Sequence, residues 1–290
     1  MALLSGLALT ASQPARAQEL AGGAAEPHTQ PTPEVVAGQP LPVSGLQFNF
    51  MPGLWLPRLS GTSTFGPSST ATELDNRFDL ELDDSEPVFV ADFAVRRNQQ
   101  WQIKAGGFSF STDSRGAIDQ AANFGGLSLL PGDAFSASFD MVSFDIEATY
   151  WWTAIPDRTG CGTQLLLGPT AGFRYVDVDM SVEQIGIGRE DTGGEWVAPY
   201  LGAEFELRWG CKDRLKYIQQ IQIAAGGALG AALGGDGGSM AQLHADLTVM
   251  FTPNFGAFFG YKLVDLDAEN DDYQLNGGLE GLYFGATLRF

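Results

Sequence analysis

Two histidines, two cysteines and a set of regularly spaced charges are the residues of this chain that could do chemistry. His28 lies in a Pro-rich stretch, whereas His244 stands two residues from Asp246. In an extended segment, residues two apart share a face, so this pair could act as general base and orienter toward a water. Alternation gathers further charges onto the same kind of face. They are Asp92, Asp145, Glu147, Glu204, Glu206 and Asp246 against Arg96, Lys104, Arg174, Arg208, Lys262 and Arg289. A charge-balanced network that includes His244 is therefore the competing interpretation of the His–Asp pair. No G-x-S-x-G, P-loop, H-E-x-x-H or dinucleotide fingerprint occurs. No cofactor and no dedicated metal site are expected. The acidic run 265–272 offers oxygen ligands but lacks the spacing of a calcium-binding helix–loop–helix, so only loosely held divalent cations are expected there.

The elements that must carry these charges are strands. Leu282, Phe284, Ala286, Leu288 and Phe290 form one face of the last segment, and Tyr283, Gly285, Thr287 and Arg289 the other. The same period of two recurs in 142–150, 165–175, 200–209 and 241–251, each with whole charges on one face and Leu, Phe, Val or Ala on the other. Pointing all those apolar residues into one small barrel would overpack it, whereas pointing them at lipid removes the conflict. The pattern predicts strands at 46–60, 87–96, 100–111, 135–152, 163–180, 196–210, 216–229, 240–252, 255–266 and 280–290. The predicted fold is an all-β, transmembrane, antiparallel up-and-down barrel of ten strands, with eight as the alternative. The connections 97–99, 153–162, 210–215 and 252–254 are short. Those at 61–86, 112–134, 181–195 and 267–279 are read as long acidic extracellular loops, which puts both termini in the periplasm. Leu74, Phe78 and Leu82 recur every four residues, so 69–82 reads either as a short helix across the mouth or as a solvated loop.

Composition agrees. Hydrophobic residues make up 44 % and charged residues 18 %, with 37 Gly and 20 Phe. Mean hydropathy is near zero, and no apolar run reaches the length of a membrane helix. A net charge of −19 argues against nucleic acid, which needs a cationic footprint. Residues 2–10 are apolar and precede Ala15-Arg16-Ala17, so 1–17 reads as a signal peptide. Residues 18–44 read as a disordered Pro-rich periplasmic linker, and 45–290 as the barrel. Cys161 and Cys211 flank two consecutive strands whose hairpin tip is expected near residue 186, midway between them. They should face each other at its open base and form a disulfide in the oxidising periplasm. Two free thiols are the alternative.

Several segments carry a family resemblance. They are Trp196-Val197-Ala198-Pro199-Tyr200-Leu201-Gly202, the Gly-rich 224–230, Gly260-Tyr261-Lys262-Leu263-Val264-Asp265-Leu266-Asp267 and the ending 285–290. Leu54-Trp55-Leu56-Pro57 with Gly61-Thr62 adds the first strand. Together they resemble a family of small porin-like outer-membrane β-barrel proteins. The resemblance implies fold and an outer-membrane location, but no reaction. Lys262 replaces the family's usual Arg, and Ala198 its usual Asp. The C-terminal Phe290 resembles the signal read by the barrel-assembly machinery, and lipid with lipopolysaccharide are the expected surroundings.

The leading expected role is a structural barrel or a narrow porin-like channel with a charge-balanced lumen. The second is a surface binding or adhesion barrel acting through its acidic loops. The third is an outer-membrane hydrolase. Omptin-type surface proteases also use ten strands, and their chemistry needs a His and carboxylates near the extracellular lip. His244, placed near the outer end of its strand, is the only candidate.

Overall fold

The structure, a computed structural model, describes residues 45–66, 72–82, 85–156, 162–210, 217–270 and 272–290. The signal-peptide and linker readings, and Cys161 and Cys211, lie outside these residues. The described chain is built from β-strands, in the order β1 (Leu46–Phe65), β2 (Glu73–Asp75), β3 (Val88–Arg97), β4 (Trp101–Ala117), β5 (Ala122–Phe124), β6 (Leu127–Leu129), β7 (Ala134–Tyr150) and β8 (Trp152–Ile155). The series continues with β9 (Gln164–Gln184), β10 (Gly188–Trp209), β11 (Gln220–Ala232), β12 (Gly237–Met250), β13 (Phe255–Asn270) and β14 (Tyr273–Arg289).

Ten of these form a wall in the order β10-β11-β12-β13-β14-β1-β3-β4-β7-β9, and β9 pairs back with β10. Each junction is antiparallel, including the closing one between β1 and β14. Closure leaves no free sheet edge. Each of the ten expected strands falls on one wall strand. The short piece β8 runs on from β7 past Trp151 and pairs with the start of β9. The turn from β3 to β4 is tight: Asn98 and Gln99 have φ of 51° and 59°, and Gln100 N donates to Arg97 O at 3.0 Å. Positive φ at both central residues matches the right-handed strand twist.

We call the end carrying Leu46 and Phe290 proximal, and the opposite end distal. Around the proximal half, the outward side chains form an apolar belt. Phe50, Leu54, Phe93, Ile103, Phe144, Phe173, Leu201, Ile223, Leu247, Phe259 and Phe284 are all exposed. At the proximal rim Trp101 packs edge-on to Tyr150 at 4.8 Å, and Tyr150 to Trp152 at 5.6 Å.

The two faces then exchange content. On β9, Phe173 points out and Arg174 points in. Beyond Tyr175 the inward residues are Val176, Val178, Met180 and Val182, all buried, while Asp177, Asp179 and Glu183 face outward. On β13 the exchange comes at Val264, after which Asp265, Asp267 and Glu269 face out. This exchange corrects the expected loops. Residues 181–195 are strand apart from the turn Ile185–Ile187, and 267–270 and 273–279 are strand. The alternation continues there, but its acidic half resembles loop composition.

Inside, the distal half is a dry core. Trp55, Phe65, Phe110, Phe135, Phe139, Trp196 and Tyr273 are each no more than 2 % exposed. Facing glycines make room for large side chains in so narrow a barrel. A Cβ on Gly172 would meet the Tyr200 hydroxyl at 2.7 Å, and one on Gly260 would meet the Tyr283 ring at 2.6 Å.

Candidate functional site

The proximal half of the lumen is polar. Inward residues near its mouth, such as Gln47, Asn49, Arg96, Gln102 and Gln222, are partly exposed, so water enters from that end. The lumen holds a cavity of about 150 Å³. Its wall includes all thirteen charged residues picked out from alternation: Asp92, Arg96, Lys104, Asp145, Glu147, Arg174, Glu204, Glu206, Arg208, His244, Asp246, Lys262 and Arg289. The strands place them there because each stands on the inward parity of its strand.

Cross-strand neighbours decide the contacts. Lys104 Nζ lies 2.8 Å from Glu147 Oε1, and Arg174 Nη2 lies 3.0 Å from Asp145 Oδ1. The register pairs Lys104 with Glu147 and Asp145 with Arg174 directly, the arrangement that favours opposite charges. Arg96 donates to Glu206 Oε2 at 2.9 Å, and Arg208 holds the same carboxylate's Oε1. Arg96 also lies over the Trp151 ring at 4.9 Å. Tyr200 donates to Glu147 Oε2 at 3.2 Å and Tyr283 to Asp246 Oδ2 at 3.1 Å. Alternation alone did not single out these two tyrosines as polar partners; their only signal is that they share the inward parity.

His244 sits at mid-strand in β12, not near an outer end. Its partner is Glu204, at 3.2 Å from Nε2, rather than Asp246. Gly226 lies between the two strands, opposite Glu204 on one side and His244 on the other. Lacking a side chain, it lets them meet over it. The Cα atoms of His244 and Asp246, two residues apart on one strand, are about 6.8 Å apart by strand geometry, and Asp246 accepts instead from Tyr283. The cavity wall carries no Ser or Cys, and the dry core separates His244 from the distal mouth. The arrangement supplies charge pairing between His244 and Glu204.

The distal mouth is capped by chain from two connections. From 72–82 come Leu74, Leu80 and Leu82, each fully buried. From the β5–β6 hairpin come Phe124 and Leu129. Asn123 O accepts from Thr72 N at 3.2 Å, and Gly125 N donates to Phe65 O at 3.3 Å, which ties the two pieces to each other and to β1. The described part of 69–82 is neither helix nor solvated loop. It forms β2 and a turn, with Phe78 73 % exposed at the tip while Leu74 and Leu82 point inward.

Outside the belt, the acidic faces oppose like charges. Asp140 pairs with Asp179, and Asp177 with Glu195. Partial burial, then Asp179 and Glu195, push the Asp177 carboxyl above its ordinary value. Burial and then Asp267 do the same to Asp265. Among the described residues no group of three or more His, Cys, Asp or Glu is arranged to hold a metal ion.

No family model matches the chain, and no curated protein matches it. Among solved structures it is similar to outer-membrane β-barrels. One is the outer membrane protease OmpT from Escherichia coli, with 12 % identity over 84 % of this chain and 97 % of that chain and a TM-score of 0.45. Another is the transport unit of the autotransporter AIDA-I from Escherichia coli, with 10 % identity over 84 % of this chain and 89 % of that chain and a TM-score of 0.37. A third is the P. putida toluene transporter TodX, with 9 % identity over 85 % of this chain and 90 % of that chain and a TM-score of 0.24. The ten-stranded architecture rests on the strand pairing itself.

Proposed function

We propose that this protein is a structural, non-conducting barrel of the bacterial outer membrane, whose polar lumen is a blind well open to the periplasm. The observation that carries the reading is the dry core: large apolar side chains and two tucked connections fill the distal half of the interior. Water and ions crossing that half would need the core to open. The apolar belt, the aromatic rim and the closed wall support a membrane location, because only a closed barrel satisfies every strand hydrogen bond in lipid. The proximal end, which carries Leu46 and Phe290, is then periplasmic. The exposed Phe290 serves as the assembly signal, and the acidic distal faces stand among lipopolysaccharide with loosely held divalent cations. This reading assigns the protein no reaction, and the His244–Glu204 contact is taken as part of the lumen charge network.

Planar-bilayer recording of the refolded mature protein tests this. The expected result is a silent membrane. Ohmic single-channel steps would refute it.

A further inference from the structure

The lumen is lined by six carboxylates and six Lys or Arg side chains, but its contacts do not pair them one to one. Near the mouth, three guanidinium groups gather and two of them meet one carboxylate. Arg96 takes one oxygen of Glu206 and Arg208 the other. Arg289 has no carboxylate partner among the described residues. It donates instead to the neutral amide oxygens of Gln220 at 3.2 Å and Gln222 at 2.7 Å. Gln222 stands directly opposite Arg208 in the β10–β11 register, so Arg289 is tethered beside the Arg96–Glu206–Arg208 triad.

This mouth carries an excess of two positive charges. The side chains are largely withdrawn from water, with Arg96 at 11 %, Arg208 at 15 % and Glu206 at 3 % exposure. Like charges held together in a partly dry space are costly unless a counter-charge arrives. Both oxygens of Glu206 are already used, and among the described residues no second carboxylate contacts these three arginines. Deeper in the well the balance turns. There Asp92, Asp145, Glu147, Glu204 and Asp246 face Lys104, Arg174, Lys262 and His244. An anion is therefore drawn to the mouth and stopped there.

We infer that the three-arginine mouth is a binding site for a small oxyanion, of the phosphate or carboxylate class, arriving from the periplasmic side. Guanidinium forks match such groups with paired hydrogen bonds. The mouth opens into the lumen cavity of about 150 Å³, whose wall includes all three arginines. The inference rests on the proposed periplasmic orientation for the source of its ligand, but the binding itself does not depend on that orientation.

The test uses full-length mature protein refolded in detergent, titrated with inorganic phosphate, acetate and chloride at one ionic strength. The readout is thermal unfolding, backed by calorimetric titration. Phosphate is expected to give a saturable upward shift that chloride does not reproduce. A matching response to acetate supports a general oxyanion site, and its absence supports a phosphate-bearing ligand. Arg289→Gln, which breaks no ion pair, should weaken the phosphate affinity at least tenfold, as should Arg96→Gln. Unaltered heat-modifiable migration on gels reports that each variant folds. The inference is overturned if phosphate gives no saturable shift, if chloride gives the same shift, or if folded Arg289→Gln and Arg96→Gln bind as the parent does. Conductance steps together with intact phosphate binding would overturn the structural reading alone.

Discussion

Phe139 and Phe144 offer a direct measure of the change of faces along one strand. Both lie on β7, five residues apart and therefore on opposite faces. Phe139 is fully buried in the distal core, with its ring 6.2 Å from that of Phe110, whereas Phe144 is 45 % exposed on the belt. Phe139→Ala removes apolar burial and leaves a cavity that closed walls cannot fill. Such truncations cost about 3–5 kcal/mol, and the lost ring pair adds roughly 0.5–1.5 kcal/mol. Phe144→Ala loses only transfer of a ring out of water, about 1.5–3 kcal/mol, because lipid tails flow into the space. The cost at Phe139 should therefore exceed that at Phe144 by about 2 kcal/mol, from the cavity contribution. Urea unfolding of the refolded protein in lipid vesicles, followed by tryptophan fluorescence, measures both. Equal costs, or a larger cost at Phe144, would refute the argument, since Phe139 would then face a medium that adapts to its loss.

Three further outcomes follow from the same contacts. Glu206→Gln frees two arginines that share one buried carboxylate and should destabilise the barrel by about 3–5 kcal/mol, read as a lower urea midpoint; the expectation fails if the midpoint is unchanged. The raised carboxyls of Asp177 and Asp265 favour protonation in the fold. Their penalty is present above the folded value and is relieved as pH falls toward the ordinary 3.8. Mild acidification should thus raise the unfolding midpoint, and Asp177→Asn should raise it at neutral pH while flattening the pH response; a midpoint in Asp177→Asn that tracks the parent at every pH would count against this. Gly162 and Gly210, the chain neighbours of Cys161 and Cys211, approach so closely that a Cβ on Gly162 would meet Gly210 O at 2.9 Å. A Cys161–Cys211 disulfide is accordingly proposed, and a thiol assay on unreduced protein should find no reactive thiol; two would sink it.

The fold was legible because a lipid-facing wall writes its parity into the sequence. From Phe173 and Arg174, or Phe284 and Tyr283, the inward and outward sets can be separated without coordinates, and all thirteen charged residues so chosen line one cavity. The distal strands were hidden by the same logic. The expected strands stop at 180 and 266, whereas β9 and β13 run on to Gln184 and Asn270; the period of two continues there, but its outward half turns acidic where lipid gives way to water, and acidic stretches read as loops. The segment 72–82 misled for a different reason. The spacing of Leu74, Phe78 and Leu82 fits a helix, yet β1 offers a strand partner and the core takes only Leu74 and Leu82.

The sequence by itself determined the class of wall, the parity of each strand and the content of its two faces, because these depend only on alternation along one chain. Tertiary structure alone decided which charges meet. His244 belongs to Glu204 because Gly226 stands between them. Arg96 and Arg208 share one carboxylate, with Arg289 held beside them by Gln220 and Gln222, because β3, β10, β11 and β14 converge at the mouth. The closure of the distal end was likewise beyond the sequence, since whether apolar side chains face lipid or one another depends on where along the barrel the solvent changes.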